Sequence, residues 1–311
     1  MFLRARRLPH RSGMTPVRRI LKRKTYLATR RCSERRFFLK PSKRTAGIFP
    51  YALALYAKRY AVQIHAYCVL SNHYHLVLTD TLGRLPDFER DVNALIAKVT
   101  NCALGRWDAF WERVSYSAVE LVTPDSVLEK LVYTLANPVA AGLVPLASKW
   151  PGVWSDPRRI GAPPIRIERP KVFFDEDGQM PAFVELQLTP PPAFADDPTF
   201  VEQVLGALRE AEASEAARLA REARAFMGAA RVLAQSFFAR PDPGAPRRVL
   251  SPRVACRSKW KRIEALQMLV EFRDAYREAL DAWRTGMRDV LFPHGTWQMR
   301  VLHAARCVGC D

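Results

Sequence analysis

The chain has 311 residues, and its 49 Lys and Arg residues outnumber its 31 Asp and Glu residues, so its formal net charge is +18. With 49% hydrophobic residues it can bury a core, which excludes a disordered or collagen-like chain. No stretch reaches the roughly 20 apolar residues that span a bilayer, and the Arg-rich start lacks the apolar core of a signal peptide. We therefore expect an intracellular protein without a membrane partner. The excess of cations predicts that its binding partner is a polyanion.

The first 44 residues are strongly basic, and Glu34 is their only acid. We predict a basic arm over residues 1–16 that leads into a basic strand, an arrangement suited to sequence-independent contact with phosphates. The alternative is a solvated tail without a partner. The candidate phosphate-binding cations are Arg18, Arg19, Lys22, Arg23, Lys24, Arg30 and Arg31, together with Arg113 further along the chain.

Strand and helix patterns then alternate up to about residue 155. Residues 25–29 and 36–39 read as short strands, and residues 48–59 have the apolar spacing of a helix. Residues 62–70 and 73–79 are apolar-rich strands separated by Ser71 and Asn72, which predicts a β-hairpin.

A helix over residues 87–104, a strand over 115–122 and a helix over 125–136 follow. Thr123 and Pro124 suit the start of the last helix, and Asn137-Pro138 should stop it, because the residue before a proline disfavours helical geometry. The order βαββαβα predicts an α+β fold, with a ferredoxin-like antiparallel sheet layered with helices.

The composition changes beyond residue 155. Residues 156–199 are rich in proline and are expected to be a linker, so we divide the chain into the arm over 1–16, a domain over 17–155, the linker, and a helical region over 200–311. Helices are predicted over residues 200–239 and 259–290. Residues 229–238 and 247–253 could form a helix-turn-helix, and a helical packing or dimerisation module is the alternative.

Two further patterns suggest possible sites. Cys307, Cys310 and His303 could supply three zinc ligands at the C-terminus, although no second half of such a site is present and reduced thiols are expected elsewhere. An aromatic segment ending in Arg113 could stack unpaired bases and bind phosphate, or could belong to the core; its aromatic members are Trp107, Phe110 and Trp111.

The sharpest motif is His73-Tyr74-His75 on the second strand of the predicted hairpin. Because side chains at i and i+2 of a strand point to the same face, His73 and His75 lie side by side while Tyr74 points to the other face. Two imidazoles make half of a metal site. The alternative is an ordinary pair of surface or hydrogen-bonded histidines.

Tyr133 and Asn137 are four residues apart in the last predicted helix, so they share one helical face. If this face lies over the two histidines, a divalent ion could be held by the imidazoles and the Asn137 carbonyl while the Tyr133 phenol attacks a phosphate. The alternative is that Tyr133 lies near the core and that Asn137 ends the helix.

Three segments together resemble one family. They are residues 65–78 (HAYCVLSNHYHLVL), residues 133–144, which end NPVAAGLV, and residues 150–155 (WPGVWS). They are similar to the HUH signature and its downstream motifs in the REP-associated tyrosine transposases, and the resemblance covers about residues 16–155. It does not extend to the second half of the chain.

The resemblance implies a single-tyrosine nuclease of HUH fold that binds single-stranded DNA or repeat hairpins, needs Mg²⁺ or Mn²⁺, and leaves a 5′-phosphotyrosine and a free 3′-OH. By position it makes His73 and His75 metal ligands and Tyr133 the nucleophile. Asn137 occupies the place where related enzymes use a longer Gln as third ligand. It also implies a nucleoid-associated location and is compatible with a homodimer.

Two other functions fit the same sequence. A non-cleaving protein that binds DNA hairpins through its cations would bind in a salt-sensitive way but would ignore EDTA and the loss of His73 or His75. An RNA-binding module also has a ferredoxin-like sheet, but no segment matches its aromatic signature.

Overall fold

The computed structural model describes residues 17–113, 116–171, 174–175, 177–241 and 252–309. The predicted basic arm over residues 1–16 lies outside them. The strands are β1 Lys24–Arg31, β2 Val62–Leu70, β3 His73–Asp80, β4 Ser117–Leu121, β5 Ile165–Glu168, β6 Phe183–Leu186 and β7 Val254–Ala255. The helices are α1 Lys43–Tyr60, α2 Leu85–Ala103, α3 Pro124–Ala140, α4 Phe200–Arg221, α5 Ala229–Ala234, α6 Lys259–Arg284 and α7 Gln298–His303.

The main sheet has the strand order β2-β3-β1-β4-β7. The first four strands pair antiparallel, with the β1α1β2β3α2β4 connectivity of a ferredoxin-like fold, which confirms the predicted α+β class. The short strand β7 joins the outer edge parallel to β4, so the second half of the chain completes a sheet that the first half begins.

Helices cover both faces of this sheet. On one face Tyr74 packs edge-on against Phe49 of α1 at 5.2 Å between ring centroids, and its hydroxyl donates to Glu89 of α2 at 2.7 Å. On the other face α3 lies over β2 and β3. The alternation of β3 therefore sends His73 and His75 toward α3 and Tyr74 toward α1 and α2.

The predicted strand over residues 36–39 is wrong. The segment is a turn in which Phe38 and Leu39 are buried, and the Leu39 amide donates to the Ser71 carbonyl at 2.9 Å. A short apolar run is compatible with either a strand or a buried turn. Here β3 and β4 occupy the two edges of β1, so residues 36–39 cannot pair with it.

The predicted stop of α3 at Asn137-Pro138 is also wrong, because the helix continues to Ala140. Pro138 lies in the last turn, where it removes a single backbone donor. Ala141 caps the helix, and its amide donates to the Asn137 carbonyl at 2.9 Å. Gly142 then turns the chain away with a φ of +70°, which glycine readily adopts. The predicted cap at Thr123 is confirmed, since its hydroxyl accepts from the Ser126 amide at 3.4 Å.

The proline-rich residues 156–199, which we expected to be a linker, contain the hairpin of β5 and β6, and this hairpin packs against α1. The Tyr51 hydroxyl donates to the Pro181 carbonyl at 2.7 Å, and the Thr189 amide donates to the Ile64 carbonyl at 2.9 Å. The division of the chain into domains stays a prediction.

The helices of the second half pack in two places. Helix α4 lies against α3, and Glu212 accepts a hydrogen bond from the Ala147 amide at 2.7 Å. Helix α6 builds a small core of its own around Phe272, Tyr276 and Phe292. The predicted helix over 200–239 is thus divided between α4 and α5, and the one over 259–290 ends at Arg284. Residues 242–251, which include most of the second half of the possible helix-turn-helix, are outside the described part of the chain.

Candidate metal and nucleophile site

His73 and His75 lie on the α3 face of β3, with ring centroids 4.9 Å apart and ring planes nearly perpendicular. Across the ladder to β1, Thr29 is opposite His75 and Arg31 is opposite His73. The side-by-side arrangement expected from the i, i+2 spacing is therefore present, on a strand with neighbours on both sides. Such a support limits the movement of the two rings.

Hydrogen bonds orient both imidazoles. The Asn72 side-chain amide donates to the Arg35 carbonyl at 3.1 Å, so its oxygen faces His73 and accepts from the Nδ1–H at 2.6 Å. This fixes the proton of His73 on Nδ1 and leaves the lone pair on Nε2. The His75 Nδ1 is hydrogen-bonded to the Thr29 hydroxyl at 3.0 Å, which also leaves its Nε2 available.

Both histidines are neutral at physiological pH. Burial, followed by the charge of Arg31, lowers the pKa of His75 to about 3. Burial, the neighbouring His75 and the charges of Arg31 and Arg35 hold the pKa of His73 well below its usual value. A neutral imidazole is the form that binds a metal ion.

Tyr133 of α3 lies directly over the histidine pair. Its ring centroid is 5.2 Å from that of His75, and the two rings meet edge to face. Although it sits beside buried groups, Tyr133 is 44% exposed, so its hydroxyl end is accessible to a large substrate. The Lys130 ammonium is 5.6 Å from the centroid of the Tyr133 ring and also pairs with Glu129 at 2.7 Å.

Asn137 follows Tyr133 by one turn of α3 and is 7% exposed. It therefore occupies the same helical face, as predicted, but at a more buried level. Its assignment as third ligand stays a prediction. In the ranges that the structure describes, no cluster of three or more His, Cys, Asp or Glu residues could hold a metal ion. Two Nε2 lone pairs and an amide oxygen fit a divalent cation that takes its remaining ligands from a phosphate or water.

The candidate phosphate-binding cations are distributed over different parts of the sheet. Arg31 is exposed next to His73, whereas Arg18 and Arg30 are half-buried on the opposite face. Lys22, Arg23 and Lys24 lie at the far end of β1, where Lys24 pairs with Glu120 at 3.5 Å. Arg19 is half-buried and Arg113 is exposed. Among the predicted cations, Arg31 is thus the one that strand pairing places beside the histidine pair.

The aromatic segment before β4 was expected either to stack unpaired bases or to belong to the core, and its residues differ in this respect. Trp107 is 97% exposed and is available for stacking, while Phe110 and Trp111 are buried, with centroids 4.6 Å apart. Core packing therefore accounts for Phe110 and Trp111 and leaves Trp107 without a structural role.

Several residues of the site were missed by sequence reasoning. Thr29, Asn72 and Arg35 reach the histidines through strand register and a tight turn, which no local pattern signals. Lys130 could have been found, because it precedes Tyr133 by three residues on one helical face. His65, in contrast, is fully buried at a bulge of β2 and bonds the Thr79 hydroxyl at 2.8 Å, so it belongs to the core.

Fold and site together define an α+β protein with a ferredoxin-like sheet, in which two metal-competent histidines on a central strand face a tyrosine on a covering helix. No family model and no curated protein matches the chain. The solved structures that are similar to it include two transposases. A REP-associated tyrosine transposase bound to a REP hairpin is 19% identical over 54% of this chain and 96% of that one, with a TM-score of 0.39. A candidate transposase from Deinococcus radiodurans R1 is 20% identical over 34% of this chain and 85% of that one, with a TM-score of 0.27.

No helix within the described ranges is long and apolar enough to cross a membrane. Cys32, Cys68, Cys102 and Cys256 are free thiols. The possible zinc site at the C-terminus is not defined, because Cys310 lies outside the described residues.

Proposed function

We propose that this chain is a metal-dependent, single-tyrosine DNA endonuclease and strand transferase that acts on single-stranded DNA or repeat hairpins, like the REP-associated tyrosine transposases that its motifs resemble. The observation that carries the proposal is the contact of the Tyr133 ring with His75, at 5.2 Å between centroids. It brings together an accessible phenol and a pair of neutral imidazoles from parts of the chain about 60 residues apart.

The metal centre would be formed by the Nε2 atoms of His73 and His75, with the Asn137 side-chain oxygen as the proposed third ligand. A bound Mg²⁺ or Mn²⁺ would polarise the scissile phosphate and neutralise part of its charge. Asn72 and Thr29 would hold the two rings with Nε2 toward the ion, since each occupies the other ring nitrogen.

The covalent step would be an attack of the Tyr133 phenolic oxygen on phosphorus. A bond forms between this oxygen and phosphorus, the bond from phosphorus to the 3′-oxygen breaks, and the leaving oxygen takes up a proton to become a 3′-OH. The phenolic proton leaves to solvent, and the Lys130 ammonium stabilises the negative charge that develops nearby. Because a phenolate is also a good leaving group, attack by a DNA 3′-OH can reverse the step and rejoin the strands.

Covalent capture tests this proposal. Hairpin strands drawn from repeats that flank the gene, labelled at the 3′ end, are incubated with the full chain and Mn²⁺ or EDTA and separated on a denaturing gel. Because the DNA 3′ of the cleavage site stays attached through its 5′-phosphate, a labelled band that survives detergent should form with Mn²⁺ and be absent with EDTA. Tyr133→Phe and His73→Ala should abolish the band.

Tyr56→Phe is the matched control, because Tyr56 lies on α1 at the other face of the sheet and should leave the band unchanged. A band that persists in Tyr133→Phe would contradict the assigned nucleophile. Tight native binding of the hairpins without any adduct or nick across a panel of divalent metals would instead support a non-cleaving hairpin-binding protein.

A further inference from the structure

A second candidate site lies on the opposite face of the main sheet. A cavity of about 580 Å³ opens between β1, α2 and the C-terminal region. We name it the α2 cavity; the residues that matter here are Arg18, Arg30, Glu89, Trp111, Tyr116 and Trp297. Because Arg30 is paired with Tyr74 across β1 and β3, the cavity belongs to the α1 and α2 face and is separate from the histidine pair.

The wall of the α2 cavity contains buried polar atoms that find no partner among the described residues. Glu89 is 1% exposed, and one carboxylate oxygen accepts from the Tyr74 hydroxyl at 2.7 Å and the Asn93 amide at 2.8 Å, while the other accepts nothing. The Tyr116 hydroxyl and the Trp297 indole N–H are also unpaired. Since buried polar groups are nearly always hydrogen-bonded, this concentration points to a missing polar ligand.

Cations and aromatic rings alternate around the same space. The Arg18 guanidinium lies 3.8 Å from the centroid of the Tyr116 ring, and that of Arg30 lies 5.5 Å from the Trp111 ring. The Nε atoms of both arginines are unpaired in the described part of the chain. The ligand must therefore offer a flat apolar surface, hydrogen-bond acceptors for the arginines and donors for Glu89.

We propose that the α2 cavity binds an unpaired guanine base. Its N1–H and exocyclic amine supply adjacent donors for the free oxygen of Glu89, its O6 and N7 are the acceptors that arginine prefers, and its ring can stack on the aromatic side chains. A phosphate alone would not suit the site, because it offers acceptors to the arginines but no pair of donors for the free oxygen of Glu89. The inference rests on the proposed function in that a DNA strand supplies the base, although a free guanine nucleotide carries the same chemistry.

The second half of the chain contributes to this site. Trp297 and Gln298 line the α2 cavity from the C-terminal region, and the Gly295 carbonyl accepts from the Ile20 amide at 2.9 Å, which holds that region against the segment that carries Arg18. The family resemblance found in the sequence does not extend to residues 156–311 and gives them no role. Part of their role is to close a base-binding cavity on the sheet.

Fluorescence anisotropy of the full chain with labelled oligo(dT) strands that carry a single central dG, dA or dC tests the inference. The dG strand should bind roughly tenfold more tightly than the dA strand, as one good base contact provides. Glu89→Gln should bring this ratio close to one, because the amide replaces an acceptor with a donor. Trp297→Ala should weaken binding of the dG strand roughly tenfold through lost stacking, whereas Trp260→Ala, 77% exposed on α6 and outside the cavity, should not.

Equal binding of the dG and dA strands by the unmodified chain, or an unchanged ratio in Glu89→Gln, would overturn the inference. If Glu89→Gln does not fold, the pair Trp297→Ala and Trp260→Ala decides it, since equal effects would exclude the cavity. Competition by dGMP but not dAMP would identify a free nucleotide as a second source of the base. If the covalent adduct forms but the chain shows no preference for dG, only the proposal of guanine binding in the α2 cavity is rejected. If the chain prefers dG but forms no adduct, only the proposed DNA cleavage is rejected.

Discussion

The two faces of the main sheet differ in how they use polar side chains. On the α3 face, His73 and His75 keep one ring nitrogen each for an external partner, and Tyr133 is exposed above them. On the α1 and α2 face, Tyr74 and Glu89 are buried and bonded to each other. Consecutive residues of β3 thus face the candidate metal site on one side and the buried Tyr74–Glu89 hydrogen bond on the other, because the strand alternation separates them.

The largest expected difference between the faces is in covalent chemistry. His75→Ala removes a proposed metal ligand and the ring against which Tyr133 packs, so the yield of covalent DNA adduct should fall at least about 100-fold. Quantitative denaturing gels at fixed Mn²⁺ measure the loss. His303→Ala, exposed at the end of α7, is the control and should keep the full yield; an equal loss there would indicate a general effect.

Metal affinity should respond to a residue that does not touch the ion. Asn72→Ala removes the acceptor that keeps the proton of His73 on Nδ1, so the dissociation constant for Mn²⁺ should rise about 10- to 100-fold. Isothermal titration with Mn²⁺ checks this. Ser71→Ala changes the neighbouring turn residue without touching either imidazole and should leave the affinity unchanged. Equal affinities of Asn72→Ala and the unmodified chain would exclude the positioning role.

The core histidine predicts the pH dependence of stability. Burial lowers the pKa of His65 to about 4, below the value of about 6.5 in the unfolded chain. The unfolded state therefore takes up a proton first as the pH falls, and about 3 kcal/mol of stability present above pH 6.5 should be lost by pH 4. Urea unfolding at a series of pH values measures this slope. His65→Gln should reduce this slope without removing it, because the lowered pKa values of His73 and His75 act in the same direction. A slope unaffected by this change would show that His65 does not contribute to it.

The smallest effect is expected on the α1 and α2 face. Tyr74→Phe leaves the Glu89 carboxylate with one donor fewer in a buried position, so the free energy of unfolding should fall by about 1–2 kcal/mol. Affinity for Mn²⁺ should not change, because the ring points away from the histidines. Chemical denaturation and Mn²⁺ titration of Tyr74→Phe together test whether the two faces of the sheet act independently. A weaker affinity of this variant for Mn²⁺ would contradict that independence.

Sequence reasoning succeeded where the structure depends on local geometry. The hairpin of β2 and β3 and the cap at Thr123 follow from turn and capping residues, and both are present. The predictions were wrong where tertiary packing overrode a local sequence preference. Phe38 and Leu39 are apolar enough for a strand but pack as a turn, and Pro138 is accommodated because it lies in the last turn of α3.

The sequence by itself determined that His73 and His75 share one face of a strand and that Tyr133 and Asn137 share one face of a helix, because backbone periodicity sets these relations. Only the tertiary structure decided that the helix face lies over the strand face and that Thr29 and Asn72 orient the rings. It also assembled the α2 cavity from Arg18, Glu89 and Trp297. Contacts between residues so distant in sequence depend on the packing of whole elements, which no local pattern encodes.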